Sequence, residues 1–289
     1  MITEANFRDA VVEMLRRAET ILPEDVLGAL KRASNRERNQ MARFHFNMMF
    51  KNLELAKKLR VPICQDTGTF TFYVKLGRDT KLQFDIGKAT AEAVRIATHE
   101  VPLRANVVDP ITREPARSNT GKAQPAIHIE LTDGKGLQVE LLVKGAGTEN
   151  CSRLYIMRPA DGAGAIEQAV IKTLKEAGGK PCPPNIVGVG VGGSMDTAAF
   201  MAKHALLRPL GKTNPDPELA KLERSIETAA NKLGTGPMGL GGKTTVLKVL
   251  IEKAACHTAS LPVAVALQCW PARRAKARMM GGRLKVVEP

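Results

Sequence analysis

Cys64 lies in the run Val61-Pro62-Ile63-Cys64-Gln65-Asp66-Thr67-Gly68, where a thiol, an amide and a carboxylate follow one another without a gap. A thiolate is a soft metal ligand, an amide both donates and accepts, and a carboxylate can carry a proton. One tight loop therefore offers a ligand, a hydrogen-bonding group and an acid. Two further thiols stand far along the chain in equally unusual settings. Prolines at 181, 183 and 184 flank Cys182, and are expected to hold its backbone extended. Cys269 follows the apolar run 263–267 and precedes Trp270-Pro271, where its thiolate can leave a core. Three scattered thiols rather than four is the count of a cluster with one metal left open, and thiolates from distant loops are a common way to hold such a cluster.

The remaining candidates each have a plainer reading. Cys151 and Cys256 have no such setting and read as small buried hydrophobes. His257, in Ala255-Cys256-His257-Thr258-Ala259-Ser260-Leu261-Pro262, is either a capping or core histidine or a group at a site. Arg104, in Pro102-Leu103-Arg104, is either a surface charge or a carboxylate clamp, which its planar fork suits. Gly188, Gly190 and Gly193 satisfy the spacing of a dinucleotide loop, but the following helix runs into a Pro-rich connection instead of a strand ending in an acid. Gly241-Gly242-Lys243-Thr244-Thr245 ends like a phosphate loop, yet the opening glycine position falls on Pro237 and Lys243 precedes a strand pattern. For the first set a helix N-terminus preceded by glycines, with Ser194 as its cap, stays open as an anion site, and close backbone packing in a tight loop explains the second.

The elements that must position these groups follow from periodicity. Helical patterns cover 4–18, 23–33 and 36–59, the last carrying an apolar stripe of Phe44, Met48, Leu53, Leu55 and Leu59. Pro62 ends the helical stretch, 70–76 reads as a strand, and 87–100 as a helix stopped by Pro102. Residues 106–124 form a loop long enough to suggest a function of its own. Strands 126–131 and 137–143 are expected to pair as a hairpin across Thr132-Asp133-Gly134-Lys135-Gly136. Beyond Lys144-Gly145-Ala146-Gly147 come helix 164–177, strand 185–191, helices 195–206 and 218–232, a glycine loop at 234–242, and strands 246–251 and 263–267. The expected fold is α/β, with mixed sheets flanked by helices and a helical N-terminal segment of about 60 residues. No linker divides the chain, so residues 1–289 are expected to be one domain.

Composition narrows the class of function. The 289 residues, 44% of them hydrophobic, suffice for a sizeable core. No apolar run reaches the ~20 residues of a membrane span. The start carries no secretory pattern, and five cysteines show no repeated spacing, so cytoplasmic, reduced thiols are expected. A net charge of +14 admits a rival reading, a basic nucleic-acid-binding protein with structural cysteines. Aromatic residues amount to only 4% and do not interleave with the basic ones, so no stacking platform is visible and neither nucleic acid nor membrane is the expected partner. The densest basic run, Arg273, Arg274, Lys276, Arg278, Arg283 and Lys285, reads as a solvated or partner-facing surface, and the last dozen residues as loosely held.

Five motifs, taken in order, resemble a known family: the 62–68 loop, Pro102-Leu103-Arg104, Lys144-Gly145-Ala146-Gly147-Thr148-Glu149-Asn150, Pro181-Cys182-Pro183-Pro184, and 257–262 with Gln268-Cys269-Trp270. The family is that of the iron-sulfur hydro-lyases: class I fumarate hydratases, in the α-subunit form, with L-tartrate dehydratase α subunits as close relatives. The resemblance implies a [4Fe-4S] cluster on Cys64, Cys182 and Cys269. It implies Gln65, Asp66 and His257 beside the reacting groups, and Arg104 with the backbone of Gly145, Ala146 and Gly147 on a dicarboxylate substrate. The implied reaction is reversible hydration of fumarate to (S)-malate, with L-tartrate dehydration as the alternative. The family's base and further substrate clamps belong to a β subunit, so the resemblance also implies a heteromer of α2β2 type. Cys151, and Ala146 in place of a glycine common in the turn, depart from the family pattern.

Overall fold

The computed structural model describes residues 2–288, and Met1 and Pro289, the outermost residues of the expected domain, lie outside it. The expected α/β class is present, with mixed sheets and helices leading the chain. The chain divides into two compact units, one built from residues 1–23, 51–145 and 273–289, the other from 24–50 and 146–272. Helix α3 (Gln40–Leu59) runs from the second to the first.

The first unit carries α1 (Glu4–Thr20), β1 (Thr69–Gly77), α4 (Ile86–Glu100), β2 (Ala126–Thr132), β3 (Leu137–Lys144), β8 (Arg274–Met280) and β9 (Arg283–Glu288). Helix α1 starts where the Thr3 hydroxyl accepts from Asn6 N at 3.2 Å, and α4 where the Asp85 carboxylate accepts from Lys88 N at 2.9 Å, each satisfying an otherwise orphan amide. Their apolar faces, with Phe7, Val11, Leu15, Ala93 and Val94, cover the inward residues Phe70, Phe72, Val139 and Leu141 of the sheet. Each large side chain buried this way contributes roughly 1.5–3 kcal/mol.

The sheet order β2-β1-β3-β8-β9 corrects two expectations. Strands β2 and β3 do not form a hairpin, because β1 lies between them, parallel to β2 and antiparallel to β3. The Asp133-Gly134 turn does reverse the chain, but it arches over the end of β1, where Gly77 N donates to Gly136 O and Arg78 N to Thr132 O. The C-terminal residues are not loose. β8 pairs with β3 and with β9, burying Ala275, Ala277 and Leu284 while Arg278 and Lys285 face outward. Alternating charge on a strand looked like a charged surface because the residues between were small.

The second unit holds α2 (Glu24–Arg36), α5 (Ala146–Cys151), β4 (Arg153–Met157), α6 (Gly162–Ala177), β5 (Asn185–Val191), α7 (Met195–Ala205), α8 (Pro217–Asn231), β6 (Val246–Lys253) and β7 (Leu261–Gln268). The four strands take the order β4-β7-β5-β6, with β6 parallel and β7 antiparallel to β5. Glycines 188 and 190 let α7 lie against β5, since a Cβ there would meet the Ala202 and Ala198 carbonyl oxygens at 2.1 and 2.0 Å. That contact is the physical use of the dinucleotide-like spacing. Neither β4 nor α5 was expected from the sequence.

Helix α3 corrects a third expectation. Its Phe44, Leu55 and Leu59 are 53, 54 and 61% exposed, while Ala42, Phe46, Met49 and Ala56 take the buried face. The helix is apolar on two sides, and the stripe read from sequence is the outer one. Among the described residues no helix is long and apolar enough to cross a membrane.

Candidate functional site

In the first unit the Cys64 loop joins α3 to β1 and is fastened from four directions. Ile63 N donates to the Glu19 carbonyl at 2.8 Å, and Asn52 Nδ2 to the Ile63 carbonyl at 2.8 Å. Thr67 and Arg104 exchange bonds: Arg104 N donates to Thr67 Oγ1 at 3.1 Å, and that hydroxyl lies 3.3 Å from the Arg104 carbonyl. Asn106 Nδ2 adds a bond to the Gly68 carbonyl at 3.0 Å, and Asn106 N donates to the buried Asn119 side chain at 3.0 Å. The long 106–124 loop is thus tied to the Cys64 loop through Asn106, which Asn119 holds in turn. Cys64 and Asp66 are half-buried, while Gln65 and Arg104 are exposed.

The fourth fastening is Arg273, whose Nη2 donates to the Asp66 carbonyl at 2.8 Å and whose Nη1 lies 2.6 Å from Glu19 Oε2. Arg273 and Glu19 are both buried, at 1 and 0% exposure. Arg273 therefore corrects the reading of the C-terminal basic run as solvated. Burial pushes the Glu19 carboxyl up to about 7 against the pull of the Arg273 charge, and the neighbouring Asp66 charge adds to the rise. The Asp66 carboxylate accepts from Gly68 N at 2.9 Å and lies so close to Gly145 that a Cβ there would meet Asp66 Oδ2 at 2.8 Å. A side chain at Gly68, where φ is +70°, would meet the Lys144 carbonyl at 2.6 Å. Glycine at 68 and 145 is what lets the loop and the end of β3 meet.

In the second unit Cys182 and Cys269 lie on adjacent loops at one end of the four-stranded sheet. Trp270 N donates to the Cys182 carbonyl at 3.2 Å, and Asn185 Nδ2 bridges the Pro181 and Gln268 carbonyls at 2.9 and 3.1 Å. Cys182 is not extended as the flanking prolines suggested. Its φ is +50°, the left-handed region, and its N–H closes a turn onto the Gly179 carbonyl at 3.1 Å. A non-glycine residue there carries strain of roughly 1–3 kcal/mol, which concentrates at functional positions. Gly147 sits beside the same loop, 3.1 Å from Lys180 O at its would-be Cβ, and Ala146 opens the short helix α5, so the expected 144–147 turn is a strand-to-helix junction.

His257 is not brought to this end. It lies on an exposed loop before β7, where Ala259 N donates to its Nδ1 at 3.1 Å. The eight-residue strand β7, roughly 25 Å long, separates it from Cys269. Cys151 is buried beneath the sheet and Cys256 is exposed near His257. Among the described residues no three His, Cys, Asp or Glu side chains gather about a single metal ion. A cluster takes one thiolate per iron, so its ligands do not have to converge on one atom. Sequence reasoning missed Glu19, Arg273, Asn106 and Asn119. Only Glu19 left a signal, since it continues the buried face of α1 one turn after Leu15.

Comparison with known proteins defines the class. Residues 8–278 match the family model described as fumarate hydratase (Fumerase). The chain is 44% identical over 275 residues to a putative L(+)-tartrate dehydratase subunit alpha of Methanocaldococcus jannaschii, covering 94% of this chain and 96% of that one. It is 33% identical over 282 residues to the L(+)-tartrate dehydratase subunit alpha of Escherichia coli (strain K12), covering 95 and 93%. The molecule is an enzyme of the hydro-lyase class. More particularly, the chain belongs to the fumarate hydratase (Fumerase) family.

Proposed function

We propose that this chain is the α subunit of a two-chain hydro-lyase that interconverts fumarate and (S)-malate, and that Cys64, Cys182 and Cys269 hold a [4Fe-4S] cluster at its site. The observation that carries the reading is the placement of the Asp66 carboxylate against Gly145, on a loop braced by Arg273. Cys182 and Cys269 fit a shared cluster: both are free thiols, on neighbouring loops with fixed backbones, and soft thiolates are the donors such a cluster takes. When bound, the cluster supplies a Lewis acid at the iron that lacks a protein thiolate.

The chain's own residues do the rest of this half-reaction. Asp66 is the group to hold or release the proton at the substrate hydroxyl, because its oxygen is pinned by Gly68 N and its backbone by Arg273. Gln65 is exposed beside it and offers an amide to a carboxylate or hydroxyl. Arg104, with its backbone locked to Thr67 and its side chain exposed, presents a planar fork to one substrate carboxylate, and the peptide groups of Gly145, Ala146 and Gly147 are the backbone donors assigned to the substrate. His257, a strand's length from Cys269, is assigned to the site of a second copy of the chain in an α2β2 assembly. Loss of the C–H proton requires a base, assigned here to the β subunit.

A second reading, dehydration of L(+)-tartrate, is favoured by the names of the relatives. Both substrates are four-carbon 2-hydroxy dicarboxylates that lose one hydroxyl and one vicinal C–H proton as water. The cytoplasm, with its reduced thiols, is the proposed location. Anaerobic purification tests the cluster: the expected protein is brown and bleaches in air, and a colourless preparation with iron well below one cluster per chain overturns it.

A further inference from the structure

In the unit of residues 24–50 and 146–272, a cavity of about 750 Å³ opens between the end of α2, the end of α8 and the start of β6. Five cationic side chains line it, Arg32, Arg36, Arg38, Lys243 and Lys248, against the single carboxylate of Glu227. Glu227 lies 3.6 Å from Lys248, and burial pushes its carboxyl up despite the Lys248 and Arg36 charges, so one carboxylate at most stands against five cations. Among the described residues Arg32 and Arg38 have no ion-pair partner.

The rim is built, not incidental. Glu37, buried between the two basic segments, accepts from Arg38 N at 2.8 Å, Asn39 N at 3.0 Å and Lys243 N at 2.7 Å. Burial alone would raise its carboxyl, but these backbone donors and the Lys243 charge outweigh burial and hold it below the usual carboxylate range. One ionised group thus fastens the α2–α3 junction to the glycine loop. Gly242 permits the contact, with φ at +138° and a would-be Cβ only 2.8 Å from Glu37 Oε2.

Cations gathered about one concavity concentrate anions there. Guanidinium forks match the paired oxygens of phosphate and carboxylate groups. The volume falls within the roughly 300–1,000 Å³ of small-molecule sites, and no aromatic side chain is present to stack a base. We infer that this cavity binds a compact, multiply charged anion of the pyrophosphate or tricarboxylate kind, and that it does so apart from the hydro-lyase residues, none of which lines it.

Calorimetric titration of the full chain with inorganic pyrophosphate, and separately with citrate, tests this at low and physiological salt. The expected result is saturable binding that weakens as salt rises, with the stronger of the two arms identifying phosphate or carboxylate chemistry. Arg36→Ala and Lys243→Ala each weaken it about tenfold, the loss of one charge-assisted contact. Arg158→Ala, a surface arginine outside the cavity, leaves it unchanged. Both cavity variants are exposed, and thermal denaturation confirms their folding. The inference is overturned if neither anion binds, if binding ignores both cavity variants, if Arg104→Ala abolishes it instead, or if only an acidic polypeptide such as polyglutamate binds.

Discussion

Arg273 and Glu19 form a buried ion pair, Nη1 to Oε2 at 2.6 Å, whose other arm holds the Asp66 carbonyl. Removing one partner of such a pair leaves a charge stranded in a low-dielectric interior. Glu19→Ala, which strands the Arg273 charge, is expected to cost about 3–5 kcal/mol in denaturant unfolding, and Arg273→Ala less, because burial already favours the neutral Glu19 carboxyl. Arg273→Lys keeps the charge but loses the fork, so it should retain more stability than activity. Equal losses in both would contradict the bracing role.

The pair also sets a pH dependence. The Glu19 carboxyl titrates near 7 in the folded chain against 4.5 for an ordinary glutamate, so the folded state binds the proton more tightly. Its contribution to stability is therefore full below about 4.5 and is lost as pH rises through about 7. The Tm of the native chain relative to Glu19→Gln should fall from pH 5 to pH 8. A difference that moves the other way would show that Arg273 dominates over burial.

Gly145→Ala tests the seat of Asp66. The new methyl would stand 2.8 Å from Asp66 Oδ2, and Gly145 has no left-handed backbone to strain. Displacing the carboxylate by about 1 Å is expected to lower kcat roughly 100-fold while leaving the unfolding midpoint close to native. Undiminished turnover would remove Asp66 from the reaction.

The cysteines divide cleanly under the proposed cluster. Cys64→Ser, Cys182→Ser and Cys269→Ser should each abolish the visible absorbance and iron content of anaerobic protein, whereas Cys151→Ser and Cys256→Ser should keep both. Iron retained in Cys182→Ser would break the ligand set.

His257 is predicted to act in trans. Co-expressed Asp66→Asn and His257→Asn chains should recover roughly a quarter of native activity, because half of randomly formed dimers are mixed and each carries one intact site. No recovery above either variant alone would place His257 outside the site.

Much of this architecture is legible in the sequence, and the exceptions share a cause. Helices α1, α4, α6 and α8 and strands β5 and β7 follow from period and caps, because those signals are local. Partners are not local. Asp133-Gly134 announces a reversal but not that β1 will sit between the reversed strands, and two apolar faces on α3 do not say which one will be covered. Strand β4 escaped because its edge position leaves Arg153, Leu154 and Ile156 exposed and its pattern shallow. At the site, Cys64 to Asp66, Cys182 and Cys269 are conspicuous by residue type. Arg273 is not, because an arginine in a run of arginines gives no sign that Glu19, 254 positions away, will bury it.

The central claim is that this chain supplies one half of a cluster-dependent hydro-lyase. Anaerobic assay of the full chain with fumarate, (S)-malate and L(+)-tartrate, alone and co-expressed with a β-type subunit, tests it most directly. The account predicts turnover of a four-carbon 2-hydroxy dicarboxylate by the two-chain complex and little or none by the chain alone. Full turnover without the partner, or an iron-loaded complex inert toward all three substrates, would contradict it.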